Sequence, residues 1–105
     1  MVNRVTLIGH LGNDVELKYT QNGVAVASFN IATTEKWKGS SGDLQERTEW
    51  HRIVAWKQLA ETCSEHLKKG SKVYIDGKIS TRKWQDDSGQ ERTITEIQAQ
   101  QVKFL

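Results

Sequence analysis

The chain has 105 residues, a formal charge of only +2, one cysteine, four tryptophans and no proline. That length fits one domain, 1–105, which can bury roughly two thirds of its unfolded surface without a disulfide or metal. The single Cys63 cannot form an internal bridge, no apolar run is long enough to span a membrane, and the N-terminus lacks the apolar core of a secretory signal; so small a net charge does not argue nucleic-acid binding unless the charges are clustered.

Residues 2–11 alternate, with Val2, Arg4, Thr6 and Ile8 against Asn3, Val5, Leu7 and Gly9. This predicts a strand that weakens at Gly9 and Gly12, where a bulge or bend is expected. After the turn at Gly12-Asn13-Asp14, residues 15–19 read as extended. Gln21-Asn22-Gly23 is a hairpin signal, because Asn-Gly accepts positive φ at low cost. Residues 24–37 form the longest strand, with Ala25, Ala27, Phe29 and Ile31 on one face. Lys38 to Asp43, rich in Gly and Ser, reads as a mobile loop.

Thr48 to Trp56 is the next strand. One face carries Trp50, Arg52, Val54 and Trp56; the other carries Glu49, His51, Ile53 and Ala55. Residues 57–69 are the only helix: Leu59, Ala60, Cys63 and Leu67 share one stripe, and Gly70 is the expected C′ residue. Lys72 to Trp84 is a strand with Val73, Ile75, Gly77 and Ile79 on one face. Arg82 and Trp84 share the other. Asp86-Asp87-Ser88-Gly89 turns the chain into a last strand, 92–104, with Ile94 and Val102 on one side and Ile97 and Ala99 on the other.

The order is three strands, a helix and two strands. It predicts a mainly β fold, a five-stranded OB-fold barrel with one helix between strands 3 and 4. A sandwich of about seven strands with no central helix fits less well.

The chemistry concentrates at the tryptophans. Trp37, Trp50, Trp56 and Trp84 each have a cation close in sequence: Lys36 and Lys38, Arg52, Lys57, and Arg82 with Lys83. A small core does not need four indoles, and cores do not place cations beside them. Flat rings interleaved with cations suit bases and phosphates. Each stacked base is worth roughly 1–3 kcal/mol, with little sequence preference. His10, His51 and His66 are scattered with no Cys or carboxylate at ligand spacing, so His51 reads as a hydrogen-bonding or subunit-contact residue and no metal or other cofactor is expected. Asp86-Asp87 reads as a turn, Cys63 as core, and Gly9-His10-Leu11-Gly12 lacks the following helix and Lys-Ser/Thr pair of a phosphate loop. No enzyme site emerges.

Val2-Asn3-Arg4-Val5, Leu11-Gly12-Asn13-Asp14, Thr48-Glu49-Trp50-His51-Arg52-Ile53-Val54, Lys69-Gly70-Ser71-Lys72-Val73-Tyr74-Ile75-Asp76-Gly77 and Thr81-Arg82-Lys83-Trp84 followed by Ser88-Gly89-Gln90 together resemble the bacterial-type single-stranded DNA-binding proteins, in order and over the whole chain. The resemblance implies a non-catalytic OB-fold, usually a homotetramer, that wraps and protects single-stranded DNA in replication, recombination and repair, in the cytoplasm and associated with the nucleoid. It implies stacking roles for Trp37, Trp50 and Trp84, and for Trp56 where the family usually has phenylalanine. Arg4, Lys18, Arg52, Lys69, Arg82 and Lys83 fall at basic positions near the DNA path. His51 and Tyr74 match subunit-interface positions. Val15 stands where proline is common. Family members commonly continue into a flexible linker and an acidic tip that recruits other proteins. This sequence ends at Leu105, which fits a trimmed core domain or a naturally short member and leaves tail-mediated partners doubtful.

Two other readings use the same residues. An OB-fold assembly adaptor would turn its aromatic patch to a protein, with weaker salt dependence. A cold-shock-like barrel would bind RNA, since ring stacking does not distinguish the sugars.

Overall fold

The structure, a computed structural model describing residues 1–105, runs β1 (Val5–Leu11), β2 (Glu16–Tyr19), β3 (Ala25–Lys38), β4 (Leu44–Trp56), α1 (Lys57–His66), β5 (Lys72–Gln85) and β6 (Glu91–Phe104). The strands are neighbours in the order β1-β5-β6-β4-β3-β2, and a further β1–β3 pairing closes them into a barrel. Both β1 and β2 lie antiparallel to β3. From Leu11 to Glu16 the chain advances five residues while its partner advances three, from Ile31 to Ser28. The two are therefore halves of one strand interrupted around Gly12, where a bend is expected. The barrel has five strands in that sense, and counting the halves separately sets α1 between β4 and β5.

Alternation puts the core where the sequence predicts it. Ala25, Ala27, Phe29 and Ile31 of β3 are buried, opposite Ile53 and Ala55 of β4. Val73 and Ile75 of β5 and Ile97 of β6 meet them, and α1 contributes Ala60 and Cys63, with Leu67 just beyond it. Burial pushes the Cys63 thiol up to about 11, so it stays protonated and packs as an apolar group. The apolar residues of β6 sit at both parities, and the pairing explains how both reach the core. Asp76 pairs with Gln101 and Gly77 with Ala99, so Gln100 bulges out and Val102 turns back inward.

Three local expectations change. The helix ends at His66, not at residue 69, and Leu67 is already extended (φ −105, ψ 143). Leu67 is pinned into the core, so the chain must leave the helix there. Gly70 (φ +91) instead closes the turn in which the Ser71 N–H donates to the Lys68 carbonyl. Lys38 to Asp43 is a tight turn rather than a mobile loop: Lys38 pairs with Leu44, and the Gly39 N–H donates to the Asp43 carbonyl. Ile79 shares the parity of Ile75 yet is 49% exposed. It stands where β5 leaves the barrel, and the Asn3 side chain bridges its backbone N–H and carbonyl.

Two hairpin arms, β3–β4 and β5–β6, project from the barrel. They account for extents of 55 × 37 × 32 Å and a radius of gyration of 16.0 Å, against about 13 Å for a compact chain of this length. No helix is long and apolar enough to cross a membrane.

Candidate nucleic-acid interface

The inward parity of each strand is committed to the core, so the opposite parity forms a continuous outer face. On β4 that face carries Trp50, Arg52, Val54 and Trp56; on β3, Val26, Ser28 and Asn30 lie across from Trp56, Val54 and Arg52. The parallel pairing of Val54 with Gln98 carries it onto β6 and Glu96, and the β5–β6 ladder carries it to Arg82 and Trp84. Lys18 extends it across β2, paired with Val26. A groove of about 370 Å³ runs along this face, lined among others by Lys18, Arg52, Trp56, Arg82, Glu96 and Gln98.

All four indoles remain accessible: Trp37 is 47%, Trp50 60%, Trp56 43% and Trp84 46% exposed. They are not in the core, although they are the largest apolar groups in the chain. Trp50 rests on Gly12, where a Cβ would lie 2.3 Å from the ring, so the glycine leaves the indole a flat seat. Trp56 ends β4, and the positive φ of Lys57 (59°) turns the chain sharply into α1 behind it. Its Nε1–H donates to Gln98 Oε1 at 2.9 Å, which orients the ring across the strands. Trp37 lies on the other face of its arm. It pairs with Gln45, on the face of Glu35 and His51 and opposite to Trp50.

The two arginines on this face are held by a residue the sequence reading passed over. Glu96 is buried, with a side chain only 4% exposed. Arg52 Nε donates to its Oε2 at 2.9 Å and Arg82 Nε to its Oε1 at 3.0 Å. Burial alone would raise the pKa of this carboxyl. Hydrogen bonds from Arg82 and Arg52, with their charges, outweigh it, and the net shift is downward. No sequence pattern flags Glu96, because its partners lie on two other strands.

That shift has a sign in stability. A folded pKa below the ordinary 4.5 means that the unfolded chain binds the proton more readily. The stabilisation from Glu96 is complete above 4.5 and is lost as pH falls through the lower folded value. Thermal melts from neutral pH to well below 4.5 should show a falling midpoint in the parent chain, and a shallower acid-limb fall in Glu96→Gln. Equal slopes in the two would contradict this assignment.

The remaining basic residues are less gathered. Lys18 lies 2.9 Å from Glu16, whose pKa its hydrogen bond and charge lower. Lys69 sits beside the Gly12 turn, its backbone N–H donating to Asp14 Oδ1 at 2.8 Å, next to the seat of Trp50. Lys83 is on the other face of the β5–β6 arm, 3.4 Å from Glu91. Arg4 is held apart from the groove by a two-point contact with Asp76, at 3.2 and 2.9 Å.

His51 is half-buried, and its Nε2 lies 2.8 Å from Thr33 Oγ1. It lines a second hollow with Thr6, Leu7 and Ile8 of β1. Tyr74 pairs with Ile8 from the other side, under the Lys103 ammonium at 5.6 Å. Both residues therefore flank Ile8, which is 52% exposed. Asp86 is engaged in its own turn: Ser88, Gln90 and Arg92 all donate to its carboxylate, which lowers its pKa.

Residues 2–105 match the single-strand binding protein family. The chain is 53% identical to single-stranded DNA-binding protein 1 of Chlorobaculum tepidum, over 99% of its own length and 65% of that relative. It thus spans just under two thirds of the relative. Among solved structures it resembles a Plasmodium falciparum SSB complex with ssDNA. That match has a TM-score of 0.92 and 34% identity, and covers 100% of this chain and 96% of the other.

Proposed function

The chain belongs to the single-strand binding protein family, and from that premise we propose that it binds single-stranded DNA without sequence preference and without catalysis. The observation that carries this reading is the outer face itself. Three half-exposed indoles, Trp50, Trp56 and Trp84, share it with Arg52 and Arg82. Bases stack on the rings, and any base can, because each has a π-face. Phosphates meet the guanidiniums and the nearby Lys18 and Lys69, with Lys83, Arg4 and the indole of Trp37 further along a wrapped path. Residues 1–105 act as one such domain.

In the cell the protein covers exposed strands during replication, recombination and repair, as a cytoplasmic, nucleoid-associated protein. It assembles as a homotetramer. The support is the free edge of β1, which pairs with β5 on one side and with β3 only at His10 and Leu11. The exposed Ile8, flanked by His51 and Tyr74, is the apolar group such a subunit contact would cover, and it supports placing the contact there.

Titration with oligo-dT tests the binding reading. Tryptophan fluorescence should quench and saturate at a constant nucleotide ratio per subunit. Affinity should fall with salt, with a log–log slope of about −0.7 per phosphate neutralised. Absence of quenching at low salt would turn the aromatic face over to a protein partner.

A further inference from the structure

We propose that Glu96 is a positioning residue for phosphate binding, a single buried carboxylate on β6 that clips Arg52 of β4 and Arg82 of β5 into one prearranged pair. The inference rests on the single-stranded DNA reading of this face and says how part of that face is built. The geometry is the warrant. Each carboxylate oxygen takes one arginine, and each arginine donates through Nε. Their terminal Nη groups make no hydrogen bond within the chain, and both side chains line the groove and are partly exposed, 37% for Arg52 and 55% for Arg82. A guanidinium held by Nε keeps its Nη edge for a second acceptor, and a phosphate is the acceptor that edge fits. The other charges on the groove are Glu16 and Lys18, which pair with each other.

An arginine left free on a surface samples many rotamers, and binding must then order it. Clipping both beforehand removes that cost from the binding step. The carboxylate also subtracts a positive charge from a face that meets a polyanion. Simple charge counting therefore says that Glu96 hinders binding, and positioning says that it helps. The two accounts predict opposite signs.

Glu96→Gln separates them in oligo-dT titrations at fixed moderate salt and neutral pH, with folding checked by thermal melts. The expected result is binding about tenfold weaker, the ordering of two long side chains having returned to the binding step. Quenching at saturation should match the parent, because the rings still stack. In an Arg52→Gln/Arg82→Gln background the further change Glu96→Gln should alter affinity by no more than about twofold, as for sites with no remaining shared partner. Glu96→Gln binding as tightly as the parent, or more tightly, would overturn the proposal. So would a tenfold loss that persists without the arginines, since Glu96 would then act on the fold alone. If Glu96→Gln does not fold, Glu96→Asp decides. It keeps the charge but, one methylene shorter, cannot reach both Nε groups, so weaker binding supports positioning and unchanged or tighter binding refutes it. If the parent chain itself fails to bind oligo-dT, the underlying reading has failed and this one with it, before any variant is made.

Discussion

Replacing Trp50 and Trp84 together by alanine is expected to abolish most of the affinity for single-stranded DNA while leaving the fold nearly as stable as before. Each ring offers a stacking platform worth roughly 1–3 kcal/mol, so the pair removes about 2–6 kcal/mol, from about thirtyfold to about twenty-thousandfold in the dissociation constant. The two sit on different arms, Trp50 on β4 and Trp84 on β5, and share no partner in the structure, so their losses should add. Stability should barely change because the rings are 60% and 46% exposed and neither belongs to the core cluster. Anisotropy of a labelled oligo-dT, read beside a thermal melt, checks both halves. A double variant that binds like the parent would mean that the indoles are not the platform. One that loses binding and melts early would mean that the rings support the fold.

Gly77→Ala should do the reverse and destabilise the barrel itself. A Cβ at Gly77 would stand 2.2 Å from the Gln98 carbonyl oxygen and 2.9 Å from its carbon. These are backbone atoms of the paired strand at the Gln100 bulge, and no side chain there can rotate away. The two strands must separate or the bulge must move. Overpacking of this kind costs about 1–3 kcal/mol, and the upper end applies where the neighbour is backbone. For a domain this size that lowers the melting midpoint by roughly 10–20 °C. Differential scanning calorimetry on the parent and the variant measures it directly, and an unchanged midpoint would show that the bulge yields more easily than its geometry suggests. DNA affinity measured well below the melting point should be close to normal, because Gly77 lies on the inner parity of β5.

The site divides along a physical line. Trp50, Arg52, Val54 and Trp56 could be assigned to one face from sequence because a strand's side-chain period is two, and any strand with its other parity buried must present these outward. The same rule placed Arg82 beside Trp84. The rule also puts Trp37, with the parity of Phe29 and Ile31, across the arm from Trp50, as its register has it; only proximity to two lysines grouped it with the other indoles. It was silent on Glu96 and Gln98. Alternation could place them outward but could not say which neighbours they would touch.

Local rules are short-ranged, and they reach the strands, the single helix, the inward residues, the outward aromatic and basic face and, through a whole-length resemblance, the family. The tertiary structure alone decided where the helix stops, because Leu67 answers to the core and not to helix propensity. It alone decided that β6 changes parity at Gln100, because that slip is a property of two strands together. It alone joined Glu96 to Arg52 and Arg82, three residues from three strands whose ion pairs exist only once the barrel has closed.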